Sequence, residues 1–240
     1  MEIKKIKSDL RSLANREKAL ILQRFFKTGK GEYGEGDRFL GVMVPDQRKV
    51  ANKYFKTVTL AEINKLLYSS YHEERLTALL MLVAKFNQSL VKEQTEIFRY
   101  YIKHSQQVNN WDLVDLTAPN IIGAYTFNHS DSKTLYQLVK SENLWQRRIA
   151  IVATFYYLRQ GRFTDTFSLA EILIKDDHDL IHKAVGWMLR EVGKRGGKNE
   201  LINFLNKHVF MMPRTMLRYA IEKFPDPERK KYLNIKKYES

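Results

Sequence analysis

The chain has 240 residues, enough for one large domain or two small ones with a buried core. Lysine and arginine number 41 against 27 aspartate and glutamate, and the formal charge of +14 predicts attraction to polyanions such as DNA, RNA or an acidic membrane surface. No cysteine occurs, which excludes disulfides, thiolate metal sites and cysteine nucleophiles.

The N-terminal stretch, MEIKKIKSDL, has no apolar core of the kind that signal peptides carry. No later run reaches the roughly 18 apolar residues that a membrane-spanning helix needs. We therefore expect a cytoplasmic protein with no membrane partner.

The first break in the helical pattern is KTGKGEYGEGDRFLGV, a segment that holds Gly29, Gly31, Gly34, Gly36 and Gly41. It predicts a loop between an N-terminal helix and the next one. No GK[ST] follows at the spacing of a P-loop, and no strand precedes it as a dinucleotide-binding fold requires. The segment therefore predicts neither kind of nucleotide site.

Beyond this loop, apolar residues recur at i, i+3, i+4 and i+7, the spacing of an amphipathic helix. The clearest segments are LAEINKLLYSS, ERLTALLMLVAKF, VKEQTEIFRYYIKH and LWQRRIAIVATFYYL. Nothing in the pattern indicates a β-sheet, so the predicted fold class is all-α. The pair Glu73–Glu74, just before the second segment's apolar run, is typical of a solvated helix face.

A weak internal repeat runs through these helices. The letters LLYS at 66–69 match LVKS at 138–141 after a shift of 72, and LIKD at 173–176 after a further 35. Each unit predicts one helix, a polar turn and a second helix, so the period indicates an α-α superhelix, or solenoid, of HEAT-like repeats. We expect one HEAT-like repeat domain over 1–240, with N-terminal helices at about 1–58 and the repeat body at about 59–240.

Half of the first shift makes Trp111 equivalent to three other residues, namely Arg75, Arg147 and His182. Equivalent positions of successive repeats line one face of a solenoid. On this alignment Asp115 follows one turn later on the same face. The alignment therefore predicts a groove suited to a duplex backbone.

The segment NNWDLVDL places a tryptophan and two aspartates in a basic chain. In a helix, Trp111 and Asp115 lie four residues apart and share one face. The two asparagines before Trp111 are typical of a helix start, and Asp112 is expected to cap the helix or to pair with a basic neighbour. Taken alone, Trp111 and Trp187 are more typical of core packing than of a functional site.

Positive charge concentrates toward the C-terminus, where residues 181–240 hold 14 Lys/Arg against 6 Asp/Glu. The segments MLREVGKRGGK and MPRTMLRYAIEKF supply side chains suited to phosphate contacts, although basic residues near helix ends also complement the helix dipole. The candidates are Arg190, Lys194, Arg195, Arg214 and Arg218. The nearby HDLIH holds two histidines four residues apart, which without a third ligand indicates a solvated helix face and no metal site.

Five segments, in this order, resemble the motifs of the AlkD-type DNA alkylation repair glycosylases, the HEAT-like repeat DNA glycosylases. They are GEYGEGDRFLGVMVPDQRKVA, VNNWDLVDL, LWQRRIA, HKAVGWMLREVGKRG and MPRTMLRYAIEKF. Together they cover essentially the whole chain, and the most specific element is WDLVD combined with Arg148 and Trp187. The resemblance implies an all-helical HEAT-like solenoid that removes positively charged N3- and N7-alkylated purines from duplex DNA.

Carried onto this chain, the resemblance makes Asp115 the catalytic aspartate, with Trp111 and Trp187 as the aromatic pair beside the lesion nucleotide. It makes Arg148 the backbone-binding arginine, in place of the Arg147 that the repeat alignment favours. Lys183 and the basic candidates above would extend the DNA contact. No metal and no cofactor are expected, and the protein is expected to act as a monomer. The Gly-rich turn is longer than in the best-matched glycosylases, which leaves the N-terminal DNA contacts open.

Alkylation at N3 or N7 puts positive charge on a purine and makes it a good leaving group. An ionised Asp115 would stabilise the oxocarbenium-like sugar and position a water molecule, and no general acid is needed. No lysine stands out as a Schiff-base former, so a monofunctional glycosylase is predicted. Whether the base is flipped stays open. The alternatives are a non-catalytic protein that recognises bent or branched DNA, and a protein-binding solenoid.

Overall fold

The computed structural model describes residues 2–235, and these form helices and connecting turns. The helices are α1 (Glu2–Ser12), α2 (Arg16–Phe25), α3 (Val44–Tyr54), α4 (Leu60–Leu67), α5 (His72–Gln88), α6 (Val91–Lys103), α7 (Trp111–Ala118), α8 (Ala124–Asn128), α9 (Lys133–Leu138), α10 (Leu144–Arg159), α11 (Thr164–Leu173), α12 (Asp179–Lys194), α13 (Lys198–His208), α14 (Arg214–Ala220) and α15 (Asp226–Leu233). Within 2–235 no β-strand forms, and the all-α prediction is confirmed. None of the helices in this range is long and apolar enough to span a membrane.

Two compact units make up the chain, Met1–Thr117 and Ala118–Ser240. A single HEAT-like domain over 1–240, divided at about residue 58, stays a prediction. In the first unit α5 is the central helix, because its first eleven residues, 72–82, are all buried. A helix that is buried on every side packs against neighbours all around it, and here α1, α3, α4 and α6 surround α5.

In the second unit α10 and α12 are the central helices. The stretch 148–154 of α10 is buried without a break, and α12 packs against α10, α11, α13 and α14. The contact between α12 and α14 depends on Gly186, where a Cβ would lie 2.5 Å from the backbone oxygen of Met216. Only glycine permits this approach, which seats the α12 turn that carries Trp187.

The turn that joins paired helices repeats in its hydrogen bonds. In the first unit, the Ser69 hydroxyl accepts from the backbone N–H two residues later at 3.1 Å, and its carbonyl accepts from Nη1 of Arg75 at 3.1 Å. In the second unit, Ser141 and Arg147 make the same two contacts at 3.1 and 3.0 Å. The predicted equivalence of 66–69 with 138–141 is therefore confirmed at the level of individual atoms.

The third copy of this turn uses different side chains for the same contacts. Oδ1 of Asp176 accepts from the backbone N–H of His178 at 2.9 Å, and the carbonyl of Asp176 bonds to Nε2 of His182. Nδ1 of His178 accepts from the backbone N–H of Leu180 at 3.1 Å, so both histidines of HDLIH bond to backbone groups at a helix start. Among the residues that the structure describes, no group of His, Asp and Glu is arranged to hold a metal ion.

The alignment of Trp111 with Arg75, Arg147 and His182 is wrong by about one helical turn. Those three are the fourth residues of α5, α10 and α12, whereas Trp111 is the first residue of α7. A short 3₁₀ turn, Ser105–Gln107, shifts the start of α7. Counted from the helix starts, the equivalents of Asp115 are Leu76, Arg148 and Lys183. Arg148, which the family motif selects, is thus the α10 residue equivalent to Asp115, and its role in DNA binding stays a prediction.

Candidate functional site

Trp111 and Asp115 lie one turn apart on α7, and both line a cavity of about 310 Å³ in the first unit. The helix starts where the sequence predicts, directly after Asn110. Oδ1 of Asn110 accepts from the Trp111 N–H at 2.8 Å, and its carbonyl accepts from the Val114 N–H at 3.2 Å. This start sets which face of α7 carries the indole and the carboxylate.

Aromatic rings form most of the cavity wall around Trp111. The Phe26 ring stacks on the indole with centroids 5.0 Å apart, and Phe25 meets it edge-on at 5.7 Å. Phe39 also stacks on Phe26, with ring centroids 5.2 Å apart. An apolar wall screens charge poorly, so a negative charge on Asp115 acts more strongly here than in open water. Packing against these rings buries part of the Trp111 side chain, and the residue as a whole remains partly exposed.

A buried charged network centred on His72 adjoins the same cavity, which His72 and Asp112 also line. Nε2 of His72 lies 2.8 Å from Oδ2 of Asp112, and its Nδ1 lies 3.1 Å from Oδ2 of Asp37. Nη2 of Arg75 donates to both oxygens of Asp37, at 2.7 and 2.8 Å. The prediction that Asp112 pairs with a basic neighbour is confirmed, with His72 as that neighbour.

The pKa values in this network follow from its neighbours. Burial opposes the charged form of His72, but the charge of Asp112 and hydrogen bonds to Asp112 and Asp37 outweigh it and raise the pKa of His72 to about 9. Burial likewise opposes ionisation of Asp37, yet the hydrogen bond from His72 and the charge of Arg75 leave its pKa below the usual value. The network therefore contains an imidazolium between two carboxylates at neutral pH.

Glu73 holds another part of the cavity wall in place. Its carboxylate accepts from the consecutive backbone N–H groups of residues 40–42 at distances from 2.8 to 3.3 Å. Gly41 in this segment has φ of +83°, and a Cβ there would lie 2.0 Å from the carbonyl oxygen of Asn15. The last glycine of the Gly-rich segment is thus required by a left-handed backbone and a close approach.

The prediction of a solvated face for Glu73–Glu74 is wrong. Both residues are buried, at 1% and 0% exposure. Glu74 forms ion pairs with Lys7 at 2.8 Å and with Arg11 at 3.0 Å, both from α1. The partners of Glu74 lie 63 or more residues away in sequence and those of Glu73 lie 31–33 residues away, so no local pattern reveals that these carboxylates are engaged.

Arg148 and Arg147 have different surroundings in the second unit. Arg148 is 5% exposed, and its Nη1 donates to the carbonyl of Leu180. Arg147 pairs with Asp176, with Nε 2.6 Å from Oδ2, and so serves the repeat turn. DNA binding by Arg148 stays a prediction. The arginine that is predicted to bind a phosphate is nearly buried.

Trp187 lies beside Phe155, with ring centroids 5.6 Å apart, and remains partly exposed. Two guanidinium groups lie over the same phenyl ring, Arg159 at 4.5 Å and Arg195 at 5.0 Å. Cations are attracted to the face of an aromatic ring. Phe155 is therefore in contact with Trp187 and Arg195, which were both predicted from the sequence. It is also in contact with Arg159, which was not.

Arg190, Lys194 and Arg195 gather around one buried carboxylate, Glu191, at 3.9, 3.1 and 3.3 Å. Arg190 also pairs with Glu222. Glu191 and Glu222 therefore balance part of the positive charge that is predicted to bind DNA. Lys194 and Arg195 are nevertheless exposed, so a phosphate can still reach them.

The other predicted DNA contacts in the second unit differ in how they are engaged. Lys183 pairs with Asp179 at 2.7 Å on the surface of α12. Arg214 donates to the carbonyl of Leu233 at 2.6 Å, at the end of α15. Arg218, one turn after Arg214, is exposed. Arg214 therefore has a clear structural task, while Arg218 is placed at the surface.

Three residues that matter for the site were not singled out from the sequence, namely Phe26, His72 and Arg159. His72 carries no local signal, because its two carboxylate partners lie 35 and 40 residues away. Phe26 lies at the end of a basic segment. Its contact with Trp111 depends on the path of the chain through the Gly-rich turn. Arg159 lies near a helix end, where basic residues are common.

A family model described as "DNA alkylation repair enzyme" matches residues 6–224 of this chain. No curated protein gives a significant match. Among solved structures, a predicted DNA alkylation repair enzyme from Enterococcus faecalis is similar, with 16% identity and a TM-score of 0.68 over 89% of this chain and 97% of that one. AlkD2 from Streptococcus mutans is also similar, with 17% identity and a TM-score of 0.54 over 88% and 99%. At these identities the two structures show a shared fold.

Proposed function

This chain belongs to the DNA alkylation repair enzyme family, and on that premise we propose that it is a monofunctional DNA glycosylase for positively charged N3- and N7-alkylated purines. The expected substrates are N7-methylguanine and N3-methyladenine in duplex DNA. The observation that carries this proposal is that Trp111 and Asp115 line the same aromatic-walled cavity. An indole face and a carboxylate at one cavity suit a reaction that develops positive charge on a sugar.

The bond that breaks joins C1′ of the deoxyribose to N9 of the alkylated purine. Its electron pair leaves with the purine, which departs as a neutral base because the alkyl group had made it cationic. The sugar is left with oxocarbenium character, as in glycoside hydrolysis. A water oxygen then bonds to C1′ and loses one proton to the carboxylate or to solvent. No general acid is required, because the leaving group needs no added proton.

In this mechanism Asp115 stabilises the sugar cation and orients the attacking water. Asp115 lines the same cavity as Phe26 and Trp111, and apolar rings screen its charge less than bulk water would. The indole of Trp111 adds about 0.5–2 kcal/mol where a cation meets its face. We assign Trp187 the second aromatic contact with the lesion nucleotide, as the family resemblance implies.

Basic side chains of the second unit bind the DNA phosphates in this proposal. They are Arg148, Lys183, Arg190, Lys194, Arg195, Arg214 and Arg218. Phosphate contacts fix the position of a duplex without reading its sequence, which suits an enzyme that must search for rare lesions. The proposed active form is a monomer on duplex DNA, without metal or cofactor.

Mass spectrometry of the bases released from methylated duplex DNA tests the proposal. Wild-type protein is expected to release N7-methylguanine and N3-methyladenine, while unmethylated DNA of the same sequence yields no released base. Tight, salt-dependent DNA binding with no released base would contradict the proposal. That outcome would instead favour a non-catalytic protein that recognises bent or branched DNA.

A further inference from the structure

We propose that His72 is a positioning residue for the excision reaction, and that its imidazolium, held between Asp37 and Asp112, fixes the first turn of α7 and thereby Trp111 and Asp115. The effect on rate rests on the proposed function. The charge state and the positioning of α7 rest on geometry alone, so they are testable separately.

The charge of His72 follows from what its ring nitrogens face. One nitrogen lies 2.8 Å from Asp112 and the other 3.1 Å from Asp37, both at carboxylate oxygens. An ionised carboxylate only accepts hydrogen bonds, so both ring nitrogens must carry a proton. A neutral imidazole has one proton and would leave one nitrogen lone pair against a carboxylate oxygen. The arrangement therefore requires the imidazolium.

The groups around the ring form a balanced and enclosed set. Asp112 comes from α7, Asp37 from the Gly-rich segment, and Arg75 from α5 itself, where it pairs with Asp37. Phe26 and Phe39 pack on the imidazole with centroids 4.9 and 4.8 Å away. His72 is 2% exposed. Loss of its charge would leave two buried carboxylates with only one cation, which is strongly unfavourable.

The network is hydrogen-bonded to the residues on both sides of Trp111. Asp112, the next residue, is held by His72, and Asn110, the preceding residue, donates from Nδ2 to Asp37 at 3.3 Å. Asn110 is the residue directly before α7 and Asp112 is the second residue of the helix, so both hydrogen bonds lie at its start, and Asp115 follows one turn after Trp111. Apolar packing alone would hold α7 against its neighbours but would restrict its rotation less strictly. Hydrogen bonds on either side of the indole restrict that rotation, and so direct the carboxylate.

The size of the expected effect follows from the cost of misplacing a catalytic group. A displacement of about 1 Å lowers a rate by about 10²-fold. Substitution of His72 therefore lowers the single-turnover excision rate by roughly 10- to 100-fold. DNA affinity changes little, because the proposed phosphate contacts lie in the second unit. A purely structural role would lower the folded fraction and leave the rate per folded molecule unchanged.

The rate is compared for wild type, His72→Gln and His129→Gln, at protein concentrations that saturate methylated duplex DNA. His129 is exposed on the second unit, so the same substitution there is a matched control that should leave the rate unchanged. Rates are expressed per folded molecule, with the folded fraction taken from circular dichroism. Equal rates for wild type and His72→Gln would overturn the proposal. Where His72→Gln does not fold, Asp112→Asn is expected to show the same loss of rate, and an unchanged rate overturns the proposal equally.

Two measurements need no activity. In ¹⁵N NMR at neutral pH, both ring nitrogens of His72 are expected to show protonated shifts, and the indole N–H of Trp111 is expected to move in His72→Gln but not in His129→Gln. A neutral His72, or an unmoved Trp111 resonance, overturns the positioning. If wild type releases no base while both NMR results hold, the proposed function fails and the positioning of α7 stands.

Discussion

The indole ring of Trp111 lies almost parallel to the phenyl ring of Phe26, with centroids 5.0 Å apart and planes at 14°. Phe26 follows α2 directly and is 6% exposed, so it is a fixed surface for the indole. Phe25, its neighbour, meets the same indole edge-on but is 61% exposed. The orientation of Trp111 therefore depends on two adjacent phenylalanines of very different burial.

Replacing Phe26 with leucine removes the stacked ring and leaves a smaller side chain beneath Trp111. We expect a loss of about 1–2 kcal/mol in the free energy of unfolding, because the core is imperfectly refilled. We also expect a lower excision rate, since the indole loses its support. Urea denaturation and single-turnover kinetics measure the two effects. Phe25→Leu is the matched control for stability, with an expected change within about 0.5 kcal/mol; equal losses for the two variants would contradict this account.

The stability that His72 contributes should depend on pH. Its pKa is raised from 6.5 to about 9 in the folded protein, so folding favours the protonated form. The stabilisation is complete below the unfolded value and is lost as pH rises through the folded value. The difference in unfolding free energy between wild type and His72→Gln is therefore expected to shrink between about pH 6 and about pH 10. Denaturation curves across this range measure it, and a constant or growing difference would argue against a buried imidazolium.

Glu73→Gln tests how the cavity wall is held. The carboxylate accepts from the N–H groups of residues 40–42, and an amide offers one accepting oxygen and an NH₂ group that opposes those donors. We expect a loss of about 2–3 kcal/mol in unfolding free energy. Glu96→Gln, at an exposed position of α6, is the control with little expected effect. Similar denaturation midpoints for both variants would show that the wall does not depend on Glu73.

Arg214 and Arg218 lie one turn apart, and their alanine variants should differ. Arg214→Ala removes hydrogen bonds to the carbonyls of Leu233 and Ile235 and should lower thermal stability. Arg218→Ala should leave stability unchanged and weaken binding to duplex DNA, with the slope of log affinity against log salt reduced by about 0.9 for one lost phosphate contact. Fluorescence anisotropy at several salt concentrations measures the slope. An unchanged slope would remove Arg218 from the proposed DNA contacts.

Features that depend only on residues close together in the chain were predictable from the sequence. The helix-joining turn uses contacts that span only six residues, so Ser69 with Arg75 and Ser141 with Arg147 appear as a repeat in the letters. The start of α7 after Asn110 is local in the same way. The repeat alignment of Trp111 was wrong, because the 3₁₀ turn Ser105–Gln107 before α7 changes the spacing from the preceding helix and has no distinctive sequence signal.

Features that join distant segments were not predictable. Glu73 has the sequence context of a solvated helix start, and only the path of residues 40–42 makes it a buried acceptor. His72 gains its role from Asp37 and Asp112, which share no spacing pattern with it. The aspartate and the tryptophan of the proposed site were found through resemblance to known motifs. The buried network that holds them follows from tertiary packing alone.

The most direct test of the central claim compares Asp115→Asn with wild type in single-turnover release of N7-methylguanine from duplex DNA, at protein concentrations that saturate the DNA. The two side chains have nearly the same shape, so the comparison isolates the negative charge. Binding to methylated DNA is expected to persist, while the release rate falls by at least about 10²-fold, the scale of losing one electrostatic contact to a transition state. Equal release rates for the two proteins would contradict a catalytic role for Asp115.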